Sequence, residues 1–216
     1  MKLLNSFGPN PRMVRMFLAE KSIELEMTEH DIMAAENRKE PYVTKNPGAQ
    51  FPALELDDGT VIAETVVMCD FLEDYHPTPA LIGGNPTERA EARMWNRRIE
   101  LKITENLYNG FRFAEGMELF KDRMRCLPEA AVGLKASAQD GLNWFDEQMV
   151  GKQFICGDRI TIGDLVLYCC TDFGASVGQP ADVTLKNFGE WFARVDSRPS
   201  AQASLHPAAA NVGMKG

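Results

Sequence analysis

Short alternating apolar runs fill the chain before residue 76, long helical patterns fill it after residue 87, and a proline- and glycine-rich stretch lies between them. That stretch reads His76-Pro77-Thr78-Pro79 and then Gly83-Gly84-Asn85-Pro86, and neither half can continue a helix. A chain of 216 residues is long enough for two modest cores. The pattern predicts two domains, 1–78 and 87–216, joined by a linker over 79–86.

The first domain mixes strand and helix signals. Residues 2–6 are short and apolar-rich and run into Gly8-Pro9-Asn10-Pro11, where Asn10-Pro11 opens a helix. Val14, Phe17 and Leu18 follow at helical spacing. Residues 23–30 alternate apolar and acidic and predict a strand, and residues 34–45 predict a weaker helix and loop. Residues 51–56 and 60–63 predict two strands joined by the turn Asp57-Asp58-Gly59. Glu64-Thr65 then opens a helix to about Tyr75, with Val67, Met68, Phe71 and Leu72 on one side. The order β-α-β-α-β-β-α is that of an α/β thioredoxin-like domain. The second domain predicts helices over 87–113, 119–150, 161–177 and 185–197, an all-α helical bundle. The small-residue-rich tail after Pro199 is expected to wrap loosely or fray.

Composition excludes several partners. Apolar residues make up 44% and charged residues 25%, with no apolar run of about 18 residues, so no membrane span is expected. The first residues read as a buried strand, not a secretory signal. A net charge of −8 disfavours nucleic acid, whose phosphates need a basic face. The five cysteines are odd in number and hold no C-x-x-C, which disfavours a disulfide framework or zinc site. His30, His76 and His206 are too far apart to suggest a metal, and none is expected. Cys169 and Cys170 sit in an apolar run and are expected to be buried thiols of a cytoplasmic protein.

Two motifs carry chemistry. In Asn46-Pro47-Gly48-Ala49-Gln50-Phe51-Pro52, a proline at the start of a buried strand cannot donate to the sheet. A cis Phe51–Pro52 bond would turn the Phe51 main chain toward a ligand, which could pair with it in strand-like fashion. The alternative is an edge-strand proline with no ligand. Beyond the hairpin, Glu64-Thr65 stands at a helix N-terminus, where free N–H groups favour a carboxylate. Glu64 could accept from an ammonium, so the pair suits the end of an α-amino acid. The alternative is a plain helix cap with the Thr65 hydroxyl as the capping group.

Asn-Pro-x-x-Gln-x-Pro, then a hairpin, then Glu-Thr at a helix start resembles the glutathione-site pattern of the glutathione transferase family, in its bacterial, theta/nu-like, two-domain cytosolic form. Thr161-Ile162-Gly163-Asp164 is similar to the capping box in that family's helical core, with Ile160 and Leu165 placed as a hydrophobic staple. The likeness runs from Met1 to about Pro199; Ala49 stands where the family often has glycine. It implies that Gln50 contacts the tripeptide backbone, that Phe51 binds the cysteinyl part beside a cis Pro52, and that Glu64 and Thr65 hold the γ-glutamyl end. Asn37 and Arg38 fall where some classes bind the glycine carboxylate, although a solvated surface Arg38 is an equal reading. Glutathione is the implied co-substrate, with no metal, detoxification is the implied role, and a homodimer is implied with Met68, Arg93 and Arg97 among its contacts.

The family activates glutathione by donating a hydrogen bond to its sulfur from the first strand–helix turn. Here Gly8 stands where serine-type relatives have serine, and the turn holds neither cysteine nor tyrosine. Asn10 is the first candidate donor and Ser6 the second; the alternative for Asn10 is a helix cap. Arg12 is a candidate for positive potential near the sulfur, and Arg15 for structural pairing. Phe7, Tyr108 and Phe111, with Phe113, are candidates to line an electrophile pocket between the domains; the alternative is that they are core, and Trp95 and Trp144 are placed in the core or at the domain interface. Two functions remain open. One is an enzyme that joins glutathione to a small hydrophobic electrophile or uses it to reduce disulfides or peroxides. The other is a non-catalytic interaction or regulatory module, which Gly8 favours and the retained Gln50, Pro52, Glu64 and Thr65 disfavour.

Overall fold

A computed structural model of the chain describes residues 1–182 and 184–216. Strand β1 (Lys2–Ser6) leads through a short turn into α1 (Pro9–Lys21), which ends at Ser22 in a left-handed conformation. Strand β2 (Glu26–His30) starts later than its alternation suggests, because Ile23 and Leu25 pack onto the core from the preceding loop. The predicted 34–45 helix is broken by Pro41, which cannot supply an interior N–H. It becomes a 3-10 turn (Glu36–Arg38) and a short α2 (Tyr42–Lys45). Strands β3 (Ala53–Glu55) and β4 (Val61–Ile62) form the hairpin, followed by α3 (Thr65–Tyr75).

The sheet order is β2-β1-β3-β4, with β1 parallel to β2 and antiparallel to β3. This is a thioredoxin-like sheet. Because β1 is central, both of its faces are covered. Leu3 enters the main core, while Leu4 joins Tyr42, Phe51 and Ala53 on the other side. Met68 of α3 is buried in the main core, not at the surface.

The second half is helical. The predicted 87–113 helix is α4 (Pro86–Ile99), one π-helical turn (Glu100–Thr104) and α5 (Glu105–Arg112). The predicted 119–150 helix is divided into α6 (Met117–Phe120), a 3-10 turn opening at Pro128, and α7 (Ala131–Gln148). Proline suits a first helical position and not an interior one, so the break falls there. Gly141 of α7 lets that helix press on the π turn, since a Cβ at 141 would lie 2.5 Å from the Lys102 carbonyl oxygen. Helices α8 (Ile162–Ser176) and α9 (Lys186–Asp196) follow their predicted spans closely. Trp95 is buried and packs beside the half-buried Trp144, with ring centroids 5.8 Å apart.

The tail is ordered where fraying was expected. It forms α10 (Pro199–Ala203) and α11 (Ala209–Val212), and Gly216 ends so close to the β1–α1 turn that a Cβ there would lie 2.8 Å from the Gly8 nitrogen. Three sets of contacts position the site. Arg12 of α1 and Asp172 of α8 form a fully buried ion pair at 2.6 Å, and Asp172 also accepts from Lys215 Nζ. Lys21 of α1 donates to Glu73 of α3, whose carboxylate also accepts the N–H groups of Leu81, Ile82 and Gly83, tying down the segment before α4. The capping box at Thr161 and Asp164 is formed, and the fully buried Asp164 also accepts from Ile155 N–H and Trp191 Nε1.

Candidate active site

The β1–α1 turn sets the first wall of the site. Gly8 is the N-cap residue at φ 143°, outside the comfortable range of a residue with a Cβ. Helix α1 begins one residue earlier than expected, at Pro9. Asn10 therefore lies in the first turn, and no side chain caps this helix. The half-buried Asn10 carboxamide makes no hydrogen bond among the described residues, so its N–H2 group is available to a ligand. Ser6 does not reach the site. It is fully buried in β1, and its Oγ donates to the His30 carbonyl at 2.6 Å. Arg12 does not face the site either, since its guanidinium is spent on Asp172, Ser204, Tyr168 and the Ala201 carbonyl. Arg15 is structural and donates to Asn5 and to the Ser6 and Ser204 carbonyls.

The 46–52 loop forms the second wall. Asn46 Nδ2 and the Tyr42 hydroxyl both donate to the Gln50 carbonyl, at 2.9 and 2.5 Å. Burial pushes Tyr42 up to about 12, which keeps it a neutral donor. Ala49 is held at φ 51°, and its carbonyl accepts from Asn37 Nδ2. Asn37 thus points inward to brace the loop, while its neighbour Arg38 lines the cavity. The Phe51–Pro52 bond is cis. The Phe51 ring stacks on His30 and packs against Tyr42, and its main-chain N–H and C=O carry no hydrogen bond among the described residues.

The third wall is the start of α3. Glu64 is its N-cap residue at φ 69°, ψ 119°, an uncommon conformation for a side chain with a Cβ, and no side chain caps the helix. Thr65 is therefore not the cap. This helix start, with its free first-turn N–H groups, borders a cavity of about 310 Å³ lined together by Asn10, Arg38, Gln50, Phe51, Pro52, Glu64 and Thr65. The opposite side comes from the helical half, with Glu105, Arg112, Phe120 and Arg123.

Arg112 and Arg123 were not singled out in the sequence. Arg112 was legible in principle, because it follows Tyr108 by four residues on one helix and so shares its face. Arg123 was not, since it lies in a stretch that reads as helix interior. It anchors the two halves by donating to the Ile32 and Met33 carbonyls, at 2.7 and 3.0 Å. Burial, and then repulsion from Arg38, pulls its guanidinium below the usual range. Three arginines against Glu64 and Glu105 leave the cavity with a formal charge of 3 − 2 = +1 on a chain of −8.

Phe7, Tyr108 and Phe111 meet, together with Phe120 and Phe173, around a small apolar cavity of about 80 Å³ beside Asn10. Phe113 is buried elsewhere and does not line it. Burial and the neighbouring Cys170 push the Tyr108 hydroxyl far up, so it is a neutral wall and not a base. A larger cavity of about 450 Å³ lies on the outer face of the sheet. It shares no lining residue with the site, and one of its three carboxylates, Glu55, is already paired with Lys2 and Lys45.

A cis-proline loop beside an open helix N-terminus, on a thioredoxin-like sheet backed by a helical bundle, defines a two-part thioredoxin-like class with a polar cavity next to an apolar one. Residues 7–75 match the profile of the glutathione S-transferase N-terminal domain, and residues 134–199 that of the C-terminal domain. The chain is 27% identical over 205 residues to glutathione S-transferase 2 of Saccharomyces cerevisiae, covering 92% of this chain and 86% of that one. The crystal structure of Gtt2 from Saccharomyces cerevisiae superposes with a TM-score of 0.89 at 26% identity, covering 95% of this chain and all of that one. A glutathione S-transferase domain-containing protein of Marinobacter aquaeolei gives a TM-score of 0.87 at 32% identity, over 93% of this chain and 99% of that one. The chain belongs to the glutathione S-transferase family and is an enzyme of that family.

Proposed function

We propose that this enzyme binds glutathione along the 310 Å³ cavity and presents its sulfur, as the thiolate, to a small hydrophobic electrophile or to a disulfide or peroxide held in the aromatic pocket. The observation that carries the reading is the single cavity lined by Asn10, Gln50, Phe51, Pro52, Glu64 and Thr65 together. The tripeptide is two carboxylates and one ammonium, net −1, which suits a +1 cavity. Its cysteinyl backbone would pair with the free Phe51 main chain, and its γ-glutamyl carboxylate with the α3 N-terminus. The γ-glutamyl ammonium would pair with Glu64, and the glycyl carboxylate with the mutually repelling Arg38 and Arg123. Asn10 would donate to the sulfur. A dimer through the face shared by α3 and α4 fits the exposed Val67 and Met94, beside the Arg93–Asp70 pair. The five free cysteines suit a reducing, cytosolic compartment, and an apolar pocket beside the site suits a detoxifying role toward hydrophobic electrophiles.

Calorimetry with glutathione tests the binding step. Affinity of millimolar or better, about −4 kcal/mol, is expected, and no heat at millimolar ligand sinks the reading. Asn10→Ala should then raise the pKa of the bound thiol, followed by ultraviolet absorbance, by about half to one pH unit. That is the size of one neutral hydrogen bond. Turnover of aryl halides, disulfides and hydroperoxides distinguishes conjugation from reduction.

A further inference from the structure

Three cavities meet at the β1–α1 turn: the 310 Å³ site, the apolar pocket, and a third of about 100 Å³ between the start of α3 and α5. Asn10 and Arg112 line all three. Both residues therefore border the junction at which a thiol in the first cavity would meet a reactant in the second.

Arg112 is held there by apolar surfaces and not by a counter-ion. Its guanidinium carbon lies 5.8 Å from the centre of the Tyr108 ring and 5.7 Å from that of Phe120, and Nη1 donates to the neutral Asn109 side chain at 3.1 Å. Among the described residues no carboxylate comes within ion-pair distance. Arg12, Arg89, Arg93, Arg97 and Arg198 each pair with an acid, whereas Arg112, like Arg38 and Arg123 of the same cavity, does not. Glu105 lines two of the same cavities but is exposed and leaves Arg112 unpaired. An uncompensated, half-buried cation sandwiched by aromatic rings is a prepared place for negative charge.

We propose that Arg112 is a catalytic residue: its guanidinium, contributed by the helical half, holds the glutathione sulfur as thiolate together with the Asn10 carboxamide. The proposal rests on glutathione occupying the cavity as described above. In the step, the S–H bond breaks, the proton passes to solvent water, and the electron pair stays on sulfur between the two donors. That pair then forms a C–S bond with an electrophilic carbon in the aromatic pocket, and the leaving group departs with its bonding electrons. A neutral amide alone stabilises a thiolate weakly, whereas a cation a few ångströms away does so strongly.

The test uses the full chain as wild type, Arg112→Gln, Arg112→Met and Arg112→Lys. Arg112→Gln removes the charge but keeps a donor for Asn109, which guards against a Met variant that fails to fold. Glutathione binding is read by calorimetry, the bound thiol by ultraviolet absorbance against pH, and kcat/KM against pH with a neutral aryl halide. In Arg112→Gln the bound thiol should titrate about one to two pH units higher, as expected for losing a nearby opposite charge. The acid limb of the rate profile should move by the same amount, and Arg112→Lys should recover most of it. If Arg112→Gln binds glutathione with its thiol titrating as in wild type, the role of Arg112 is overturned while the glutathione site stands. That role is equally overturned if kcat/KM with the neutral aryl halide keeps its wild-type pH profile in Arg112→Gln. If wild type itself binds no glutathione, the underlying site falls and the role of Arg112 with it.

Discussion

Glu64 shows how much one residue can concede to a site. Its φ of 69° is of a kind that costs a residue with a Cβ about 1–3 kcal/mol, and no side-chain capping bond offsets it. Glycine adopts such a conformation freely. Glu64→Gly is therefore expected to raise Tm by about 2–4 °C, the shift that roughly 1 kcal/mol gives in a chain of this size. The same change should weaken glutathione binding at least tenfold, about 1.4 kcal/mol, by removing the partner of its ammonium. A melting curve and a titration on one variant check both, and a destabilised variant would show that Glu64 is not strained. The sequence exposed Glu64 and Thr65 as a pair at a helix start, because the hairpin before them and the apolar face after them are local patterns. Which of the two would cap the helix depended on main-chain angles that no local pattern specifies. Asn10 was similar: a Pro-Asn-Pro string marks a helix start, but only the starting point at Pro9 moves its carboxamide out of the cap position.

At the scale of elements, α8 depends on its first turn. Asp164 accepts from Thr161 N–H and hydroxyl, Ile155 N–H and Trp191 Nε1, so one carboxylate joins the α8 cap, the loop before it and α9. Hydrogen bonds to a charged group contribute about 1.5–3 kcal/mol each, and a buried donor left bare is costly. Asp164→Ala should lower Tm by about 6 °C or more, equivalent to at least about 3 kcal/mol. A variant melting within 2 °C of wild type, about 1 kcal/mol, would show that the carboxylate is dispensable. This box was fully legible, because a capping box is a spacing of four consecutive residues. The break between α6 and α7 was not: the apolar rhythm carries across it, and Pro128 had to be weighed against that rhythm. The π turn left no sequence signal either, although the Gly141 contact beside it is plain in the packing.

For the whole molecule, ionic ties hold α1, the centre of the first half, to the helices of the second. Arg12–Asp172 is the buried one. Glu20 of α1 meets Arg198 and Ser200 at the start of α10, with Arg198 in a two-pronged contact of 2.5 and 2.7 Å. Burial would raise the Glu20 carboxyl, but the bonds from Arg198 and Ser200 outweigh it and hold it below the usual carboxylate range. A depressed carboxyl adds stability that is complete above its unfolded pKa of about 4.3 and is lost as pH falls through its folded value. Glu20→Gln should therefore melt below wild type at pH 7, with the gap closing as pH falls below about 4. A gap of equal size at all pH values would count against the tie. The tail belongs to the same set of contacts, since Lys215 shares Asp172 with Arg12 and Gly216 closes on the turn that bears Asn10.

The order of elements, the two-part division of pattern, the cis-proline loop motif and the Glu-Thr helix start are written in the chain itself. They rest on short-range rules: alternation against a 3.6-residue period, proline's missing donor, and the spacing of a cap. The other wall of the site was decided only by tertiary packing. Arg112 and Arg123 are nearly 50 residues or more beyond the Glu64-Thr65 pair, and they reach the cavity because helix packing and the buried Arg12–Asp172 pair bring the two halves face to face. Ser6 and Arg12 were set aside by the same cause. Their neighbours in space, His30, Asp172 and Ser204, satisfied them before any ligand could, and no local pattern records a partner that arrives from so far along the chain.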